Sequence, residues 1–117
     1  MNRTLEELRA ELERFANDRQ WGHFHTPRNL GLALAGEVGE LLAEIQWSSD
    51  DEVLWEVKDA HFRERLAAEA ADVLIYLVRF ADVCGIDLLD AAFHKTSVNA
   101  DRFPIEQPED HRFRSTS

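Results

Sequence analysis

The chain has 117 residues and carries 23 acids against 13 bases, a net charge of −10. That balance excludes a general duplex nucleic-acid binder, which needs a basic face for the phosphates; it does not exclude a small phosphorylated ligand, because a bound metal ion inverts the local field. The length suits one domain, and with 44% hydrophobic residues the core is modest, so self-association is a natural way to bury more surface.

The N-terminus (MNRTLEELRAELERF) is amphipathic and charged from the start, unlike a secretory leader. Thr4 is a fitting N-cap with Glu7 as its capping-box partner, and Leu5, Leu8, Leu12 and Phe15 recur at helical spacing. A first helix is expected over about residues 4 to 19. Trp21 to Pro27 (WGHFHTP) reads as a turn-like connector. Pro27 suits the first turn of a second helix, which extends to about Ile45 or Gln46 on the pattern Leu30, Leu34, Val38, Leu41, Leu42, Ile45. Ser48 to Asp51 breaks it, and Glu52 to Asp59 fits either a helical turn or a loop.

A third helix is expected over about His61 to Val83, with Leu66, Val73, Leu77 and Phe80 on one face and Gly85 as its stop. Asp87 caps a fourth helix, about Leu88 to Asn99, with Leu89, Ala92, Phe93 and Thr96 on one side. Arg102 onward reads as an irregular tail. No stretch alternates with period two between hairpin turns, so the expected fold is all-α, a four-helix bundle. The domain is assigned to 1–104 and the tail to 105–117. The lone cysteine, Cys84, forms no internal disulfide and reads as a small core residue. His23, His61, His94 and His111 read as surface residues. No apolar run reaches the ~18 residues of a membrane span. A soluble, cytoplasmic protein with no membrane partner is expected.

Most of the acids solvate outer helix faces. Four interrupt apolar stripes instead. On the second helix Glu37 lies one turn from both Leu34 and Leu41, and Glu40 follows at i+3. On the third, Glu69 is one turn from Leu66 and Val73, with Asp72 at i+3 and Tyr76 one turn beyond. Acids at i and i+3 are neighbours and repel, and burial raises the cost. A magnesium ion resolves both problems: it is hard, takes oxygen ligands, and keeps positions for water or phosphate. Manganese is an allowed substitute. The residues between the pairs are enough for the third helix to return antiparallel, bringing both pairs to one level. Glu44 on the same side either assists or is a solvated acid. A di-metal redox carboxylate protein would need Glu-x-x-His motifs, and neither pair has a histidine at that place.

The segments FHTPRNL, LALAGEVGELLAEIQW, EAADVLIYLV and KTSVNADRFP, in this order and spacing from about Leu5 to Pro104, resemble the all-α nucleoside triphosphate pyrophosphohydrolases, the MazG-like group, and within it the dCTP-type members. The family motif of two acids at i, i+3 followed at a distance by E-x-x-D matches Glu37, Glu40, Glu69 and Asp72. Gly36 stands where many relatives carry an extra acid, as in the dCTP-type members. The resemblance implies Mg²⁺-dependent cleavage of a nucleoside triphosphate substrate between its α and β phosphates, with dCTP or a modified dCTP as substrate. The four acids would be both metal ligands and catalytic residues. It also implies substrate contacts from Lys95 to the phosphates, Asn99 one turn later, Trp47 stacking on the base and Tyr76 bounding the sugar; Trp47 and Tyr76 equally fit core or interface aromatics, and Lys95 a surface lysine. His25, Arg28 and Arg102 complete the candidate substrate-binding set, although His25 and Arg28 also fit a role in fixing the loop and capping the second helix. Relatives form dimers or tetramers built as dimers of dimers, so a homo-oligomer is expected. The chain departs from some close relatives at Leu12 and Phe103 and in the length of Ser48 to Ala60, positions that bear on base preference. The competing readings are another specificity on the same fold (dUTP, broad NTP, phosphoribosyl-ATP) and a non-catalytic helical module that binds nucleotide without turnover.

Overall fold

The computed structural model describes residues 3–105. They form five helices: α1 (Leu5–Asp18), α2 (Pro27–Ala43), α3 (Asp50–Glu56), α4 (Ala60–Val83) and α5 (Leu88–Arg102). Among the described residues there is no strand, in agreement with the all-α expectation. The four expected helices correspond to α1, α2, α4 and α5, with α5 continuing past Asn99 to Arg102. Arg102, expected to begin the irregular tail, is helical; residues 106–117, His111 included, lie outside the described residues.

The fifth helix, α3, occupies the ambiguous stretch. Its start is a capping box: the Glu52 N–H donates to Ser49 Oγ at 3.2 Å and the Ser49 N–H donates to Glu52 Oε1 at 2.7 Å. Asp50, Asp51 and Glu52 fill its first turn, where the positive end of the helix dipole favours them. The run expected to break the second helix lies past the end of α2, and its acids also start α3.

The same local chemistry sets the other boundaries. Thr4 and Glu7 form the expected capping box on α1. Thr26 caps α2, its hydroxyl accepting the Asn29 N–H at 3.1 Å, with Pro27 in the first turn. Asp59 and Asp87 cap α4 and α5. Two helix ends close alike. After α4 the Ile86 N–H returns to the Ala81 carbonyl at 2.8 Å around Gly85, at φ +70°. After α1 the Trp21 N–H returns to the Ala16 carbonyl at 2.9 Å, and the left-handed residue is Gln20, at φ +56°. Glycine adopts that conformation without strain; glutamine does not.

The chain divides into two units, Met1–Ile86 and Asp87–Ser117. In the first, α2 packs along α4 and α1 packs against α4. Its buried apolar residues are Ala16, Leu30, Phe62, Val78 and Ala81. Leu34, Leu41, Leu66, Val73, Leu77 and Phe80, expected on inner faces, are half-buried. Phe15, Val38 and Leu42 remain exposed, Leu42 at 53%. The elements of a single chain are too few to cover every apolar helix face. Cys84 is also exposed, contrary to the expected core position, because it is the C-cap residue of α4 and falls beyond the packed turns. In the second unit α5 stands as an amphipathic helix whose Leu89 and Phe93 are exposed.

Candidate active site

Four contacts show how α2 and α4 run past each other. His25, just before α2, meets Arg79; Glu37 meets Asp72; Glu40 and Glu69 share a cluster; and Glu44, just after α2, meets Arg65. The antiparallel pairing expected from the spacing is present. Near its middle a carboxylate oxygen from each of Glu37, Glu40 and Glu69 lies within 4.8 Å of the others. Asp72 lies close enough to Glu37 for its charge to act on that carboxyl.

The cluster is electrostatically uncomfortable. Glu37 is half-buried, and its carboxyl is pushed up to about 7. The main cause is the hydrogen bond it shares with Glu40, followed by loss of solvent and by the negative charges of Glu40 and Asp72. Glu69 is also raised, first by loss of solvent and then by the charges of Glu40, Asp72 and Glu44. Such a group needs a cation. Beside it, Arg65 donates from Nε to Glu44 Oε1 at 3.3 Å. Glu44 is thus partly compensated and stands beside the cluster. An all-oxygen set of converging carboxylates, held partly protonated by mutual repulsion, fits a hard divalent ion.

The other candidates divide by position. Tyr76 is half-buried on α4, one turn beyond Asp72. Trp47 lies past the end of α2 and is 89% exposed, so it is neither core nor packed against the carboxylates. Arg28 is exposed in the first turn of α2; the cap of that helix is Thr26, not Arg28 or His25. His25 is held by Arg79, whose Nε donates to its Nδ1 at 2.9 Å. Lys95, Asn99 and Arg102 belong to α5 in the second unit. There Lys95 is exposed, the Arg102 guanidinium covers the Phe103 ring at 5.2 Å, and Asn99 Oδ1 is buried with no hydrogen-bond partner among the described residues.

Two features escaped the sequence reading. One is an open cavity of about 510 Å³ lined by Trp55, Glu56, Lys58, Asp59, Phe62 and Arg65. Lys58 lies over the Trp55 ring at 4.7 Å and Arg65 over Phe62 at 5.6 Å, cation–π pairings that no spacing rule announces. The other is Arg79, 8% exposed, the buried charge among the described residues. Its signal was available: an arginine inside the apolar run LIYLVRFADV.

The chain is similar to several known proteins. Residues 25–98, which include both carboxylate pairs, match the MazG nucleotide pyrophosphohydrolase domain. The chain is 47% identical over 105 residues to dCTP pyrophosphatase 1 of Rattus norvegicus, covering 87% of this chain and 60% of the relative. It is 44% identical over 114 residues to dCTP pyrophosphatase 1 of Homo sapiens, covering 97% of this chain and 64% of that protein. The chain therefore spans about 60% of the length of these curated relatives. Among solved structures it is similar to a pyrophosphatase from Archaeoglobus fulgidus, with a TM-score of 0.80 and 35% identity, covering 89% of this chain and 95% of that one. The matched segment exceeds half of the chain and contains the whole carboxylate cluster: the protein belongs to the MazG nucleotide pyrophosphohydrolase family.

Proposed function

We propose that this chain is a Mg²⁺-dependent nucleoside triphosphate pyrophosphohydrolase that cleaves dCTP or a modified dCTP between the α and β phosphates, releasing the monophosphate and pyrophosphate. The observation that carries the reading is the convergence of Glu37, Glu40 and Glu69 within 4.8 Å, with Asp72 close enough to raise Glu37. When bound, the metal would neutralise phosphate charge at the scissile bond. Glu37, Glu40, Glu69 and Asp72 would hold it, fixing the phosphates between α2 and α4. A carboxylate oxygen of the cluster not engaged by metal accepts the proton of the attacking water. The cytosine preference is supported by the relatives at 44–47% identity, which are dCTP pyrophosphatases. Trp47, Tyr76, Lys95, Asn99, Arg28, Arg102 and His25 form the proposed substrate-contacting set.

The exposed apolar side chains favour a homo-oligomer. Leu32, Leu42, Leu54, Trp55 and Phe93 are each more than half exposed, an amount of apolar surface that single chains rarely leave in water. Light scattering at micromolar concentration checks this; a monomeric mass overturns it.

Purified protein with Mg²⁺ and dCTP tests the activity. Pyrophosphate should appear as the primary product, and dCTP should exceed dUTP and ribonucleotides in kcat/KM. Orthophosphate as the first product would sink the cleavage position; equal turnover across the panel would sink the base preference.

A further inference from the structure

Arg79 and His25 form a second polar pole on the molecule. Arg79 sits two turns after Asp72 on α4, and Glu69, Asp72, Tyr76 and Arg79 follow one another at i, i+3, i+7 and i+10 on one face. At 1.5 Å per residue, Asp72 and Arg79 are about 10 Å apart along the axis. The antiparallel α2 matches this span: Glu37 sits at the carboxylate end and His25, before its first turn, at the Arg79 end.

The pole is over-determined. The Arg79 Nε–H donates to His25 Nδ1 at 2.9 Å, and its Nη1 donates to Asp82 Oδ2 at 3.2 Å. Asp82 also accepts from Arg9 Nη1 at 3.2 Å, so Arg79 cannot swing away without breaking a chain of ion pairs back to α1. The His25 backbone is fixed as well, its N–H donating to the Trp21 and Gly22 carbonyls, with the cap residue Thr26 next in sequence. An arginine never gives up its proton. A donor aimed at Nδ1 therefore requires a lone pair there, and the imidazole proton must sit on Nε2. Burial, and then the Arg79 charge, hold the His25 imidazole below its usual range, in keeping with a neutral ring.

We propose that Arg79 is a positioning residue for base recognition: it fixes His25 as the neutral Nε2–H tautomer, and that Nε2–H donates to N3 of the cytosine base of the nucleotide whose phosphates lie at the carboxylate end. This rests on the activity proposed above. The distance between the poles is comparable to the reach from the α-phosphate to the far edge of a base. O2 is an acceptor in cytosine and uracil alike, but N3 is an acceptor only in cytosine, because the N3 of uracil carries a proton. A fixed donor at N3 thus separates the two bases, and a ring free to present either a donor or a lone pair does not.

Nitrogen-15 NMR of the wild-type imidazole is the first test and needs no substitution. The Nδ1 and Nε2 shifts should show a proton on Nε2; a proton on Nδ1 overturns the proposal. Kinetics then read the consequence. Arg79→Met, checked for native circular dichroism, should lower kcat/KM for dCTP about tenfold or more, mainly through KM, while its Mg²⁺ dependence stays that of wild type. Glutamine keeps an amide N–H in place of Nε2–H, so in a His25→Gln background Arg79→Met should cost less than about twofold more. A full additional loss in that background means that Arg79 acts on the fold alone and overturns the proposal. So does an unchanged kcat/KM in folded Arg79→Met. If Arg79→Met does not fold, His25→Ala against His25→Gln decides: equal kinetics overturn the donor role, and a tenfold advantage for Gln supports it. Wild-type protein that releases no pyrophosphate from dCTP refutes the activity itself, an outcome distinct from all of these.

Discussion

Two charged groups share one face of α4, and they are built in opposite ways. Around Asp72 the charges are alike: Glu37, Glu40 and Glu69 converge beside it, the hydrogen bond with Glu40 raises Glu37, loss of solvent raises Glu69, and the like charges add to both. Around Arg79 the charges alternate, from Glu6 and Glu13 through Arg9, Asp82 and Arg79 to neutral His25. The second group satisfies itself and ties α1, the connector before α2 and α4 together. The first cannot be satisfied from within, which is the physical mark of a place for an external cation. An acid-rich chain makes acids cheap evidence; their convergence without a counter-charge is what carries weight.

The comparison can be broken in several ways. The largest effect belongs to the uncompensated group. Asp72→Asn or Glu40→Gln should lower pyrophosphate release at least about 100-fold, with the helical circular dichroism unchanged. Retained activity in both variants would remove the cluster from the chemistry. Next comes a pH effect of defined sign. The folded, metal-free protein keeps a proton on Glu37 up to about 7, whereas an ordinary glutamate loses it near 4.5. The fold therefore binds more protons than the unfolded chain in that window, and this group's contribution to stability falls as pH rises through it. Glu37→Gln removes the penalty. In chelator, the melting temperature of Glu37→Gln minus that of wild type should grow between those pH values and level off above them. Mg²⁺ should raise the wild-type melting temperature more at pH 8 than at pH 5. A flat difference would show that the acids are not under mutual strain.

The compensated group should respond differently. Asp82→Ala leaves the buried Arg79 without its counter-charge and should cost about 2 kcal/mol, seen as a melting temperature roughly 10 °C lower. Mg²⁺ should not restore it; restoration would mean that the two groups are not separate. The smallest effect concerns Gln20, held at φ +56° where the matching end of α4 has Gly85. Gln20→Gly should stabilise by about 0.5–1 kcal/mol, a shift of a few degrees.

What the sequence made legible follows from what is local. Helix starts at Thr4 and Asp87, the stop at Gly85 and the two acid pairs all depend on contacts within a few residues, and spacing exposes them. The Ser49–Glu52 capping box was equally local, but α3 has only seven residues and no apolar period to announce it. The Arg79–His25 bond joins residues 54 apart, and Arg65 reaches Glu44 across 21. Only packing of α2 on α4 creates such pairs. Cys84 shows the same limit in reverse: its residue type marks it as a core residue, and its position at the C-cap of α4 leaves it exposed.

Between Glu69 and Arg79, α4 contains neither proline nor glycine and is a continuous helix. It behaves as a ruler. With a base anchored at one mark and metal ligands at another, the bond that breaks is selected by its distance from the base and not by its intrinsic reactivity. The two phosphoanhydride bonds of a triphosphate are chemically similar, but they lie at different positions along the chain. A rigid spacer addresses the nearer one. On that view the regiochemistry of hydrolysis, which separates a pyrophosphate-releasing enzyme from a phosphate-releasing one, is written in the number of helical turns between two charged groups.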